Sequence, residues 1–357
     1  MTIQQHASFD SSAAELNATS KLVKAWESKN AKNAAKAGGI SLMALSLAAC
    51  GGSSTPQADN GGDSGGDTPD AAKTMTFTKD VIDVLTGGSG DDVAIGDAAT
   101  VSAADSFVGG AGNDTLKMYG SLTMPNVTDV ENVYFSAIVG DVNVSAKSFT
   151  NIEFDAATTT AAGADTVTVT TGQTVVLDCI VDGDAADDAN NKGEVEIASA
   201  LAVTSVSVEV QGVGAAAAAD DVEIDITGTG VTSASFASTT GKNYVGIDNT
   251  GAALKTITVT GSQLFDADEN ALTAVTTIDA SATTGGVLFN TTGGTQDLVF
   301  KGGSGDDTLN IGSGLDADDT LTFGEGTDTL ILTSAALTAA TNAQVKEINA
   351  TTGLERH

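Results

Sequence analysis

This chain has few of the side chains on which most enzymes depend. Its 357 residues include two histidines, His6 and His357, a single arginine, Arg356, and a single tryptophan, Trp26. Ser-His-Asp chemistry needs an imidazole base. The pentapeptide Gly62-Asp63-Ser64-Gly65-Gly66 matches the surroundings of a chymotrypsin-like nucleophile, but it lies in low-complexity sequence far from either histidine. No H-E-x-x-H zinc motif and no phosphate-cradling P-loop occurs. One arginine equips the chain poorly for binding phosphate. Cys50 and Cys179 do not make a disulfide framework. Carboxylate pairs are too common in so acidic a chain to argue for glycosidase chemistry. No enzyme is expected. Basic residues are also scarce, 15 against 47 acidic ones, giving a net charge of −32. That charge argues against nucleic acid or an anionic membrane surface as a partner.

Glycine is abundant, at 41 residues, and so are threonine, valine and aspartate. The chain is 41% hydrophobic with only 4% aromatic residues. Small residues with Thr and Val fit thin, stacked β-layers better than one bulky core. The length suits one elongated or two compact domains.

One stretch near the C-terminus organises the rest. Gly302-Gly303-Ser304-Gly305-Asp306-Asp307-Thr308-Leu309-Asn310 fits the template G-G-x-G-x-D-x-U-x, with U a large apolar residue. Gly109 to Lys117 (GGAGNDTLK) fits as well. Gly87 to Ile95 is a weaker copy with Ala94 at U, and Gly324 to Ile331 fits from the second place, Phe323 replacing the first glycine. The register extends between the copies. Asp83, Asp92, Asp105 and Asp114 are spaced 9, 13 and 9, each followed two places on by Leu85, Ala94, Phe107 or Leu116. Asp307, Asp319 and Asp328 are spaced 12 and 9, with Leu309, Leu321 and Leu330 in step.

Such spacing predicts a tight glycine turn followed by a three-residue strand that points U inward. Turn carbonyls and aspartates are hard oxygen donors, which suit Ca²⁺. In the first cluster the candidate ligands are Asp83, Gly87, Ser89, Asp91 and Asp92, then Asp105, Gly109, Ala111, Asn113 and Asp114. In the second they are Gly302, Ser304, Asp306 and Asp307, then Asp318, Asp319, Gly324, Gly326 and Asp328.

These motifs, over residues 83–117 and 298–331, resemble the repeats-in-toxin (RTX) nonapeptide family. The resemblance implies a parallel β-roll with Ca²⁺ between successive turns and export of an unfolded chain to the calcium-rich exterior. Strand-like segments such as Val127 to Val133 and Ala146 to Glu153, interspersed with nonapeptides, are similar to the bodies of RTX-type surface-layer proteins. That likeness implies one-step type I secretion, a bacterial cell-surface location and self-assembly into a lattice or filament.

The remaining segments read as follows. Residues 1–37 form a helical leader, with a capping box at Ser12 to Glu15 and five lysines. Residues 38–50 hold the apolar run Ile40 to Ala49, too short to span a bilayer. It ends at Cys50 in a sequence resembling a lipoprotein box, which would be cleaved before Cys50 and lipidated on its sulfur. A buried helix or an uncleaved remnant is the other reading. Residues 51–73 are a flexible Gly/Ser/Asp linker. Residues 74–120 and 298–357 carry the calcium motifs, and 121–297 a Thr/Val-rich body.

Within that body Thr166 to Thr170, Thr204 to Val210, Val222 to Ile226 and Thr256 to Thr260 alternate as strands. Asn132-Val133-Tyr134-Phe135 and Asn151-Ile152-Glu153-Phe154 recur 19 apart, and Phe236, Ile257, Ile278 and Val299 recur at 21. A rung of about twenty residues suits a β-solenoid, though a sandwich accommodates the same strands. Cys179, within Val175 to Val181, reads as a small buried hydrophobe. The acidic loops at 182–188 and 266–270 read as solvated loops, with extra Ca²⁺ sites the other reading.

The expectation is an all-β protein, a parallel β-roll or solenoid behind a short helix. It would be a secreted, Ca²⁺-binding structural protein that forms homo-oligomers and is anchored through envelope polysaccharide or lipid. The alternative is a calcium-dependent adhesin or glycan-binding module.

Overall fold

The computed structural model describes residues 71–333 and 354–356, apart from 80, 137–139, 157, 160–164, 183–193, 200–201, 216–221, 249–252 and 317. The leader, the lipobox-like Cys50 and the linker up to residue 70 lie outside the described residues. Contacts divide the chain into Met1–Gly66 and Asp67–His357, and every described residue belongs to the second unit.

That unit is all-β and coils. A twelve-stranded sheet starts at Thr74–Thr76 and ends at Thr320–Thr322. A ten-stranded sheet runs from Val142–Asn143 to Leu354–Arg356, and a three-stranded one joins Val84–Gly88, Ser106–Gly110 and Asn126–Thr128. A two-stranded sheet pairs Thr158–Thr159 with Val181–Asp182; elsewhere strands alternate between two sheets along the chain, so each such coil adds one strand to either side. Neighbouring strands pair in parallel throughout, for example Val93–Asp97 on Thr115–Tyr119 and Thr308–Gly312 on Asp328–Leu332. Sandwiches of the immunoglobulin type are antiparallel, so the parallel pairing decides for the solenoid.

Alternation explains the strands. In Thr115–Tyr119 (TLKMY), Leu116 and Met118 are fully buried while Thr115, Lys117 and Tyr119 are more exposed. In-register pairing then builds apolar columns through the stack, such as Ala94, Leu116, Val133, Ile152, Val175, Val208 and Phe236. Phenylalanines stack within this core: Phe135 on Phe154 at 5.1 Å and Phe300 on Phe323 at 5.0 Å. Burying such a ring stabilises by about 2–3 kcal/mol.

The 19-residue recurrence is a true coil: Asn132 pairs with Asn151 and Phe135 with Phe154. An amide ladder follows it outside, Asn151 Nδ2 donating to Asn132 Oδ1 at 2.9 Å. The 21-residue series is only partly one. Ile257 pairs with Ile278, but Phe236 pairs with Val259 and Ile278 with Phe300. Coils here differ in length by a residue or two, so equal spacing does not keep register. Cys179 is a correction. The strand stops at Asp178, and Cys179 is exposed with φ +54, because the chain turns a corner there.

Candidate metal centre

Turns between coils place the acidic residues. The nonapeptide strands Val93–Asp97 and Thr115–Tyr119 lie next to each other in the sheet, as do Thr308–Gly312 and Asp328–Leu332. Each turn immediately precedes such a strand, so in-register strands stack the turns as well. Asp92, Asp105, Asp114, Asp307, Asp319 and Asp328 are all buried, none more than 3% exposed.

A buried carboxylate is costly unless hydrogen-bonded, and here the backbone supplies the donors along a column. Asp92 N–H donates to Asp114 Oδ1 at 2.7 Å, and Asp114 N–H to Glu131 Oε2 at 2.8 Å. On the neighbouring corner Asp83 N–H donates to Asp105 Oδ1 at 3.0 Å. In the C-terminal cluster Val287 N–H donates to Asp307 Oδ1, Asp307 N–H to Asp328 Oδ1 and Leu298 N–H to Asp319 Oδ1, at 2.7–2.9 Å. One coil's amide thus meets the next coil's carboxylate. The preceding acidic position forms an outer row: Asn113 N–H donates to Asp91 Oδ1 and Thr327 N–H to Asp306 Oδ1, both at 2.8 Å.

The first glycine of each motif marks a convergence of oxygens. A Cβ on Gly87 would meet Gly109 O at 2.1 Å and Asp92 Oδ2 at 2.3 Å. On Gly109 it would meet Asp129 O at 2.0 Å and Asp114 Oδ2 at 2.3 Å, and on Gly302 Phe323 O at 2.1 Å and Asp307 Oδ2 at 2.2 Å. So each cradle joins a carboxylate oxygen to a carbonyl of the following coil. Phe323 supplies that carbonyl although it replaces a glycine, its ring being buried against Phe300.

In two cradles the second carboxylate oxygen already has a donor: Gly88 N–H on Asp92 Oδ2 at 2.6 Å, and Gly303 N–H on Asp307 Oδ2 at 2.8 Å. Lys73 also closes the first turn, its N–H on Asp92 Oδ1 and its Nζ on Gly87 O at 2.7 Å. Asp114 Oδ2 is different. It is buried and has no hydrogen-bond partner. A donorless carboxylate oxygen beside a carbonyl, among other carboxylates, has the chemistry of a hard-cation ligand.

Electrostatics point the same way. Burial holds the Asp114 carboxyl above its ordinary pKa, and Glu131, Asp92 and Asp91 push it further. Asp307 is raised to about 6 by burial, then by Asp328 and Asp306. Asp319 is raised by burial, then by Asp316 and Asp297. Asp105 goes the other way. Burial raises it, but the hydrogen bonds it accepts from Asp83 and Ser102 outweigh that, and it lies below its ordinary value.

The remaining sequence candidates are turn residues. Ser89, Ala111, Asn113, Ser304, Asp306 and Asp318 are exposed. Gly324 and Gly326 hold φ +102 and +132, which non-glycine residues rarely adopt. The structure also assembles acids that sequence reading missed. Glu131 lies outside any nonapeptide, and Asp297 and Asp316 join Asp318 with carboxylate oxygens within 4.8 Å of one another, all three exposed. That is the only such trio among the described residues. The run Asp316-Ala317-Asp318-Asp319 offered a signal for Asp316, whereas Asp297 arrives through coil register alone.

A separate acid group lies on the outer face of the twelve-stranded sheet. There Glu153 pairs with Tyr134, and Asp155 with Asp178. Tyr134 OH donates to Asp155 Oδ2, and the Lys117 ammonium lies 5.3 Å from the Tyr134 ring centre. Burial pushes Glu153 up to about 7, helped by Asp178 and Asp155.

With the parallel solenoid and its acidic turns thus defined, comparison with protein-family models, curated proteins and solved structures finds no match.

Proposed function

We propose that this is a secreted, calcium-binding structural protein of the bacterial cell surface, of the RTX type, whose copies assemble into a layer or filament. The observation that carries the reading is the column of buried aspartates with Asp114 Oδ2 lacking a donor. Ca²⁺ would be held by Asp92 and Asp114 with the Gly109 carbonyl, and by Asp307 and Asp328 with the Phe323 carbonyl. It would relieve part of a net charge of −32, and its binding free energy would add directly to folding. Inside the cell, where Ca²⁺ is scarce, the chain would remain loosely folded for export; outside it would set. The test is circular dichroism and thermal unfolding with chelator and with millimolar Ca²⁺. Added Ca²⁺ should raise the midpoint by 10 °C or more, on the order of several kcal/mol of linkage. Identical melting curves would reject the reading.

Assembly is supported by the first coil. Val81, Ile82 and Val84 are 59, 70 and 72% exposed, and Val84–Gly88 pairs on one side only among the described strands. Exposed apolar edge strands template contact with further chains.

A second reading, a calcium-dependent adhesin or glycan-binding module, is favoured by one feature. Tyr119, edge-on to Tyr134 at 6.0 Å, borders an open cleft of about 320 Å³ with Thr76, Ile95, Asp97 and Thr100. An aromatic wall with hydroxyls and a carboxylate suits a sugar ring. Monodisperse protein retained on a polysaccharide column would favour this reading over the lattice.

A further inference from the structure

We infer that Glu131, which belongs to no nonapeptide, is the terminal ligand of the N-terminal column, and that it forms a hard divalent-cation site with Asp114 Oδ2 and the Asp129 carbonyl. The inference rests on the calcium reading above and extends it one coil beyond the last motif.

The stacking shows the equivalence. Thr115 pairs with Asn132, just as Val93 pairs with Thr115. Glu131 therefore holds in the third coil the position that Asp114 holds in the second and Asp92 in the first. Its carboxylate accepts Asp114 N–H as Asp114 accepts Asp92 N–H. Asp129 O faces Gly109 as Gly109 O faces Gly87. The third turn thus repeats the oxygen arrangement of the motif without its glycines.

Local structure explains how. Residues 92 and 114 are 22 apart, but 114 and 131 only 17, so the third coil lacks most of the glycine loop. Asp129 takes the left-handed conformation itself, φ +51, which aspartate tolerates better than most residues. Glutamate has one methylene more than aspartate, and from the shortened turn that reach brings its carboxylate to Asp114 N–H.

The backbone around it is fixed. Ser148 Oγ bonds both Val130 N–H and Val130 O, and Glu131 O accepts Thr150 N–H and Asn151 N–H. The result is a buried oxygen with no donor, Asp114 Oδ2, facing a carbonyl, with a second carboxylate held on the same residue's N–H by a tied backbone.

The competing role for Glu131 is that of a plain acceptor for Asp114 N–H. Glu131→Gln separates the two, because the amide oxygen still accepts that bond while the negative charge is gone. The experiment is titration of the full chain with Ca²⁺ alone by calorimetry, for wild type, Glu131→Gln and Asp114→Asn. Dichroism in chelator would be recorded alongside, and Glu131→Ala would show the cost of losing the acceptor. Expected is an unchanged chelator spectrum for Glu131→Gln, with one ion fewer or one site weakened on the order of tenfold, and the same site lost in Asp114→Asn. If Asp114→Asn loses an ion while Glu131→Gln binds as wild type, Glu131 is an acceptor only and the inference falls while the calcium reading stands. If wild type itself takes up no Ca²⁺, both fall.

Discussion

Gly302 shows how little room the turns leave. A methyl there would lie 2.1 Å from Phe323 O and 2.2 Å from Asp307 Oδ2, and neither can retreat, one being backbone and the other held by Val287 N–H and Gly303 N–H. Gly302→Ala should destabilise the chain by about 1–3 kcal/mol, as overpacking in tight surroundings does. It should also weaken Ca²⁺ binding at the C-terminal cluster, since the methyl enters the cradle. Chemical denaturation with and without Ca²⁺ checks both; a variant as stable as wild type would show that the turn opens freely. The template glycines and aspartates were legible in sequence because each answers a local need, a tight turn or an oxygen donor. Glu131 was not, for its role comes from a coil partner 17 residues away and from a shortened turn that matches no template.

Strands place like charges side by side when register demands it. Asp155 pairs with Asp178 on the outer face, with Glu153 beside them, and burial and these neighbours hold Glu153 near 7 instead of its ordinary 4.5. Between those values the folded chain binds a proton that the unfolded chain has released. This contribution is therefore present in full below about pH 4.5 and is lost as pH rises through about 7. Glu153→Gln should stabilise the protein at pH 8, by on the order of 1–2 kcal/mol after allowance for solvent screening, and leave it unchanged at pH 4. Thermal melts at the two pH values in chelator decide this; equal effects at both would contradict the assignment. Period-two alternation made four body strands readable, now Asp165–Val169, Ser205–Gln211, Val222–Thr227 and Thr256–Gly261. Which strands are neighbours was less so: the Asn132 and Asn151 coils could be matched because their length is regular, whereas Phe236 finds Val259 across a longer coil. The end of the strand before Cys179 was missed because Ile180 and Val181 prolong the apolar run past a corner that hydropathy does not mark.

For the whole solenoid, the function proposed above makes the exposed apolar edge and the acidic turns partners in assembly: one would offer surface, the other would set rigidity. Val84→Lys places a charge on the open first coil, so it should suppress assembly in Ca²⁺ while leaving the melting curve unchanged, as read by light scattering and electron microscopy. Normal assembly by this variant would move the contact elsewhere. Strand pairs stay parallel and aligned although the connecting chain varies widely: Thr115 reaches its partner at Asn132, whereas Thr174 reaches Ser207, nearly twice as far along the sequence. The sequence between paired strands on the longer coils can thus be gained or lost with little effect on the ladder. A foreign peptide spliced between such paired strands would leave the ladder on either side in register, making the stack a natural scaffold for presenting grafted epitopes.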